Sequence, residues 1–204
     1  MSAQDSNAGL DSRAVALVCR GSDPDRAIAV ALAEAGADIA LGTITSSQNE
    51  EFSTASIANE VWAMGREQFN TVFEAADPAA AAAFAAEVCD RLGSCSALVI
   101  APGPPPVVAF DELSRDEWDA MELAGLTAPL VLVHAFAPVM ERAGGGTVIL
   151  VNEAAPHLDV AGSVLSEARR ALGAFAGIAL SQRGVRVMVV SREGAAQHVV
   201  DLLA

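Results

Sequence analysis

The chain has 204 residues, of which 52% are apolar and 19% charged, with a formal net charge of −14 at pH 7. That length makes one domain with a full core, and so acidic a balance argues against nucleic acid and anionic membranes, which need a basic face. All twelve basic residues are arginine and there is no tyrosine, so a mechanism needing a lysine amine or a tyrosine phenol is excluded outright.

The first dozen residues (1–12) lack a basic-then-apolar leader pattern and read as a flexible tail, with 13–204 a single domain. The apolar run Ala14 to Val18, a turn bearing one glycine, and apolar residues at helical spacing (Ile28, Val30, Leu32, Ala35) read as strand, turn, helix. Within the turn Cys19-Arg20-Gly21-Ser22-Asp23-Pro24-Asp25, Asp23 is expected to cap the helix and Pro24 to be its first residue. Strand two is expected at Asp38–Thr43, followed by a polar connection, SSQNEEF, and a helix from about Ser56 to Met64 closed by Gly65. Gln68–Phe73 reads as strand three, and Asp77-Pro78 opens an alanine-rich helix. Ser96–Ala101 is strand four, followed by a stiff proline run, Pro104 to Pro106. The capping box from Ser114 to Glu117 opens a long helix, about Arg115 to Arg142. Strand five (Thr147–Asn152), a helix (about Gly162–Gln182), strand six (Val185–Ser191) and a last helix (Ala195–Leu203) complete the chain. The alternation predicts an α/β fold: a doubly wound, Rossmann-like parallel sheet of order 3-2-1-4-5-6, truncated before a seventh strand. Three cysteines (Cys19, Cys89, Cys95) without metal-type spacing read as thiols of a reducing cytoplasm.

The segments ALV and RAIAVALAEAGADIAL resemble the start of a short-chain dehydrogenase/reductase, and the resemblance extends over nearly all of 13–204. It implies hydride transfer with a nicotinamide cofactor, and the departures from the family pattern set the expectations that follow. The family's T-G-x-x-x-G-x-G turn is replaced by Arg20, Gly21, Ser22, Asp23, Pro24 and Asp25. A pyrophosphate sits on free helix N–H groups, of which Pro24 removes one, while the Asp23 and Asp25 carboxylates stand where the anion belongs. Like charges about 4 Å apart cost ~1 kcal/mol in water and ~4 at an effective dielectric of 20. No cofactor is therefore expected. Gly42-Thr43 stands where the family often has an acidic residue for the adenosine ribose.

Aligning the family's catalytic positions places Leu165 at the tyrosine, Arg169 at the lysine, Asn152 at the serine and Gly125 at the asparagine. With acid, activator and relay changed together, the expectation is a non-catalytic subunit lacking the family's substrate-covering loop. It would assemble with, and stabilise or complement, an active dehydrogenase paralogue acting on hydroxyacyl or ketoacyl thioesters. The alternatives are an NADP-linked reductase with non-standard residues and a nucleotide-sensing regulator. The two long helices are apolar nearly all round, so one side needs a partner. Leu130, Val133, His134, Phe136, Ala168, Leu172, Phe175 and Ala179 are the expected interface, in a heterotetramer or, alone, a homo-oligomer. Glu153 and His157 are a weaker candidate acid/base pair, Arg169-Arg170 is expected to form a salt bridge to Glu167 or to a neighbouring subunit, and Trp62 and Trp118 read as packing groups.

Overall fold

The computed structural model describes residues 9–11, 13–153 and 159–204; most of the expected tail, and His157, lie outside these. Six parallel strands, β1 (Ala14–Cys19), β2 (Asp38–Thr43), β3 (Gln68–Thr71), β4 (Ala97–Ala101), β5 (Gly146–Asn152) and β6 (Val185–Ser191), form one sheet of order β3-β2-β1-β4-β5-β6. The expected strand order holds. β1 is buried along its whole length, as a central parallel strand covered on both faces must be.

One face carries α1 (Asp23–Glu34), α2 (Gln48–Ala63) and α7 (Ala195–Leu203). Ile28, Leu32, Ile57, Val61 and Val199 pack there on Val15, Leu17, Ile39 and Val99. The other face carries α3 (Pro78–Leu92), α5 (Ala128–Arg142) and α6 (Val160–Leu180) over Ala16, Val18, Leu98 and Val148. Two helices differ from the sequence reading. α2 begins at Gln48, so most of the supposed polar connection is helical: Ser47 caps it, accepting from the Glu50 N–H, and Glu50 and Glu51 lie in its first turn. The long helix is continuous from Arg115 to Arg142 but contains a π-helical turn, Leu123–Thr127, between α4 (Arg115–Glu122) and α5. This run is apolar and long enough to cross a membrane, yet half of its most apolar stretch is buried, with Leu132, Phe136 and Met140 in the core.

Gly42 has a packing reason. A Cβ there would stand 2.7 Å from Phe73 and 3.0 Å from Phe84, which stack at 4.8 Å between ring centroids. Beside it, Thr43 is fully buried; its hydroxyl donates to the Phe73 carbonyl (2.9 Å) and accepts from the Phe73 N–H (3.0 Å). Replacing Thr43 by the isosteric valine leaves both backbone groups unpaired. Thr43→Val is expected to destabilise the fold by about 2 kcal/mol in urea denaturation, with Thr43→Ser losing much less.

Candidate active site

The carboxyl ends of the strands, where ligands bind in open α/β sheets, meet at the β1–α1 turn. Ser22, not Asp23, is the cap; Asp23 is exposed and Pro24 is the second helical residue. The Ser22 N–H and hydroxyl both donate to Asp25 Oδ2, at 2.9 and 2.7 Å. Asp25 is only 1% exposed, so its carboxylate is drawn into the helix instead of standing in the place of a bound anion. Burial pushes its pKa up, and the Ser22 bonds and the Arg192 charge pull it back. Gly21 lies at φ +78°, and a Cβ there would meet the Ser53 Cβ at 2.4 Å, because the early start of α2 brings that helix over the turn.

Cations surround the turn. Arg192 donates to Ser22 Oγ at 2.7 Å, pairs with Glu153 Oε1 at 3.0 Å and lies 3.9 Å from Asp25 Oδ1. Arg20 donates to the Pro102 carbonyl (2.6 Å) and to Glu50 Oε1 (3.3 Å). Glu50 in turn accepts from the Thr45 N–H and hydroxyl. Sequence reasoning missed Arg192, although the signal was available: like Arg20, it directly follows a strand. For a dinucleotide phosphate, this edge offers side-chain cations in place of the backbone amides of a glycine-rich turn. With the Asp25 carboxylate turned inward, Arg20 and Arg192 are the residues that would hold such a group, in exchange for their pairing with Glu50 and Glu153.

The four altered catalytic positions come together. Arg169, on α6, is 1% exposed. Its Nε donates to Asn152 Oδ1 (2.8 Å) and its Nη1 to the Gly125 carbonyl (2.9 Å) in the π turn. Asn152 Nδ2 donates onward to Ser166 Oγ (3.0 Å) and the Ser166 carbonyl (3.1 Å). A Cβ on residue 125 would lie 3.2 Å from Arg169 Nη1 and 3.4 Å from Leu165 Cδ1, so glycine makes room for the guanidinium. Leu165 is buried against Met121 and Ala161. Burial lowers the pKa of Arg169 to about 10, with Glu153 pulling it upward, which leaves the group cationic at neutral pH. The expected salt bridge to Glu167 is made by Arg170, at 3.2 Å, while Arg169 is buried. Glu153 faces Arg192, and its suggested partner His157 lies outside the described residues.

A cleft of about 320 Å³ joins the two regions, running from Arg20 and Thr45 past Pro102–Pro106 to Met121, Ala124, Gly125 and Arg169. Of the expected interface, Leu130, His134, Phe175 and Ala179 are exposed and Ala168 and Leu172 half-buried, but Val133 and Phe136 face the core. Trp62 is 70% exposed and packs no core; Trp118 is half-buried beside Met121 and Leu165.

The short chain dehydrogenase family pattern matches residues 25–191, and the chain belongs to that family. An uncharacterized oxidoreductase of Mycobacterium tuberculosis is 27% identical over 182 residues, 88% of this chain and 67% of the relative. A metagenomic short-chain oxidoreductase solved in complex with NADP is 26% identical, with a TM-score of 0.79 over 95% of this chain and 90% of that one. A short-chain type dehydrogenase/reductase from Mycobacterium marinum superposes with a TM-score of 0.86 at 19% identity, covering 99% and 91% of the two chains. Two expectations are thereby corrected. Membership of a dehydrogenase family, with relatives named oxidoreductases, overturns the reading of a non-enzyme. The NADP held by a related structure overturns the expectation of no cofactor, and the inward-turned Asp25 removes one of its physical grounds.

The Arg169 network is testable by a double-mutant cycle in urea. Asn152→Ala, which strands the guanidinium Nε and Ser166, is expected to cost about 3 kcal/mol. Combined with Arg169→Met, the total is expected to fall short of the two single losses added together by about 1–2 kcal/mol.

Proposed function

We propose that the chain is an NAD(P)-linked oxidoreductase acting on a carbonyl or hydroxyl compound, with non-standard active-site residues. The observation that carries this reading is the cation-rimmed cleft at the β1–β4 edge, where strand order reverses, in a chain 26% identical to an NADP-bound relative. Arg20 and Arg192 would hold the phosphates, with Thr45 at the adenosine side. Bound there, the cofactor supplies or accepts a hydride. The chain binds and orients the reactants, and Leu165 supplies no proton, so the proton balance passes through water. Lacking a positioned acid, turnover is expected to run about 10²–10⁴-fold below that of a tyrosine-bearing enzyme.

Calorimetric titration with NADPH and NADH, followed by turnover of the bound form against a panel of ketones and alcohols, tests this. Saturable binding is expected, weakened about tenfold in Arg20→Ala. Failure of both nucleotides to bind at millimolar concentration would sink the reading.

We also infer that two copies pair through α5 and α6. Leu130, Val164, Phe175 and Ile178 are between 51% and 72% exposed, an apolar surface of the kind that marks contact sites. Light scattering is expected to give an oligomer, and the Phe175→Glu/Ile178→Glu variant a folded monomer; an oligomer unchanged by these charges would refute the assignment.

A further inference from the structure

We propose that Arg169 anchors a carboxylate, and that the cleft takes a small carboxylate-bearing compound with an apolar body; its role as substrate rests on the oxidoreductase reading above. The guanidinium is 1% exposed and lines the cleft, with Nε and Nη1 committed to Asn152 and Gly125. Among the described residues, its Nη2 is buried without any hydrogen-bond partner. A guanidinium nitrogen so buried without an acceptor is costly, and a ligand oxygen is the missing acceptor. Of the other charged groups of the wall, Glu117 is held by the Ser114 N–H and hydroxyl at 2.9 and 2.6 Å, and Arg20, bonded to Pro102 and Glu50, lies at the end of the cleft assigned to the phosphates.

The rest of the wall near Arg169 is apolar, with Met121, Ala124, Val108 and the proline run. About 320 Å³ lies at the small end of the range for small-molecule sites. One guanidinium with one free nitrogen balances the single charge of a carboxylate; a phosphate dianion would leave charge unmatched among these apolar groups. The cofactor phosphates have their own cations at the β1–α1 turn, so the anchor and the nucleotide are expected to bind together.

The full chain is titrated with hexanoate, 1-hexanol and NADPH. Hexanoate is expected to bind saturably, at least tenfold tighter than hexanol, and to bind equally well in the presence of NADPH. Arg169→Met abolishes the preference for hexanoate. Ala120→Trp, at an exposed position on the cleft rim, blocks hexanoate while leaving the thermal transition unchanged. Equal affinity for hexanoate and hexanol, no hexanoate binding by the folded chain at millimolar concentration, or hexanoate binding that survives both substitutions would overturn the proposal. Strict competition between hexanoate and NADPH would also overturn it, by assigning Arg169 to the nucleotide, and would leave the oxidoreductase reading intact. Hexanoate binding without any NADPH binding would do the reverse: the anchor stands and the oxidoreductase reading falls.

Discussion

A single buried positive charge organises the carboxyl edge of this sheet. Arg169 is held by the Asn152 side chain at the end of β5 and by the Gly125 carbonyl in the helix opposite, and it ties three elements to one guanidinium. Burying such a charge is tolerable only when its donors are matched, and two of its three nitrogens are. The geometry also explains why the altered positions are altered together. Arginine is longer and wider than lysine, its fork needs an acceptor at the right distance, and it needs the space that a side chain on residue 125 would fill. Read this way, the departures from the family pattern are one coupled rearrangement, and not four independent losses.

The same edge shows how a phosphate site can change its chemistry without changing its place. A glycine-rich turn presents backbone N–H groups and the helix dipole. Here the Ser22 N–H at the helix cap is taken by Asp25, and the cations come from residues that directly follow β1 and β6. Asp25 first reads as a repulsive charge; in the fold it is an internal cap whose field is partly neutralised by Arg192. Its position in the sequence was legible, but its direction was not, because that depends on Ser22 accepting the role of cap.

The strands were legible for a simple reason. Parallel strands covered on both faces must be continuous apolar runs, and β2 has the bounds that its run predicts; the edge strand β6, only partly buried, also keeps its predicted bounds. The N-terminal half of α2 was not legible, since its start is polar and carries little apolar periodicity; the Ser47 cap and the acidic first turn, Glu50 and Glu51, were its local signs. The Arg169 network was hidden more deeply. Its partners lie 17 and 44 residues away, so nothing local relates them. Val133 and Phe136 were misplaced because a helix apolar all round does not declare which side meets the sheet.

The π turn at Leu123–Thr127 carries a last consequence. It closes an i→i+5 bond, from the Ala128 N–H to the Leu123 carbonyl, within an otherwise α-helical rod. One additional residue there shifts the helical phase by about 100° between the two segments. Upstream, Glu117, Ala120 and Met121 look into the cleft; downstream, Leu132, Phe136 and Met140 look into the core. The turn therefore acts as a phase joint, setting the wall of a binding cleft and the floor of a hydrophobic core on one rod at independently chosen angles. Loss of a single residue from it would rotate the cleft wall, and with it the contact of Met121 with Leu165, relative to the core-facing half of the rod.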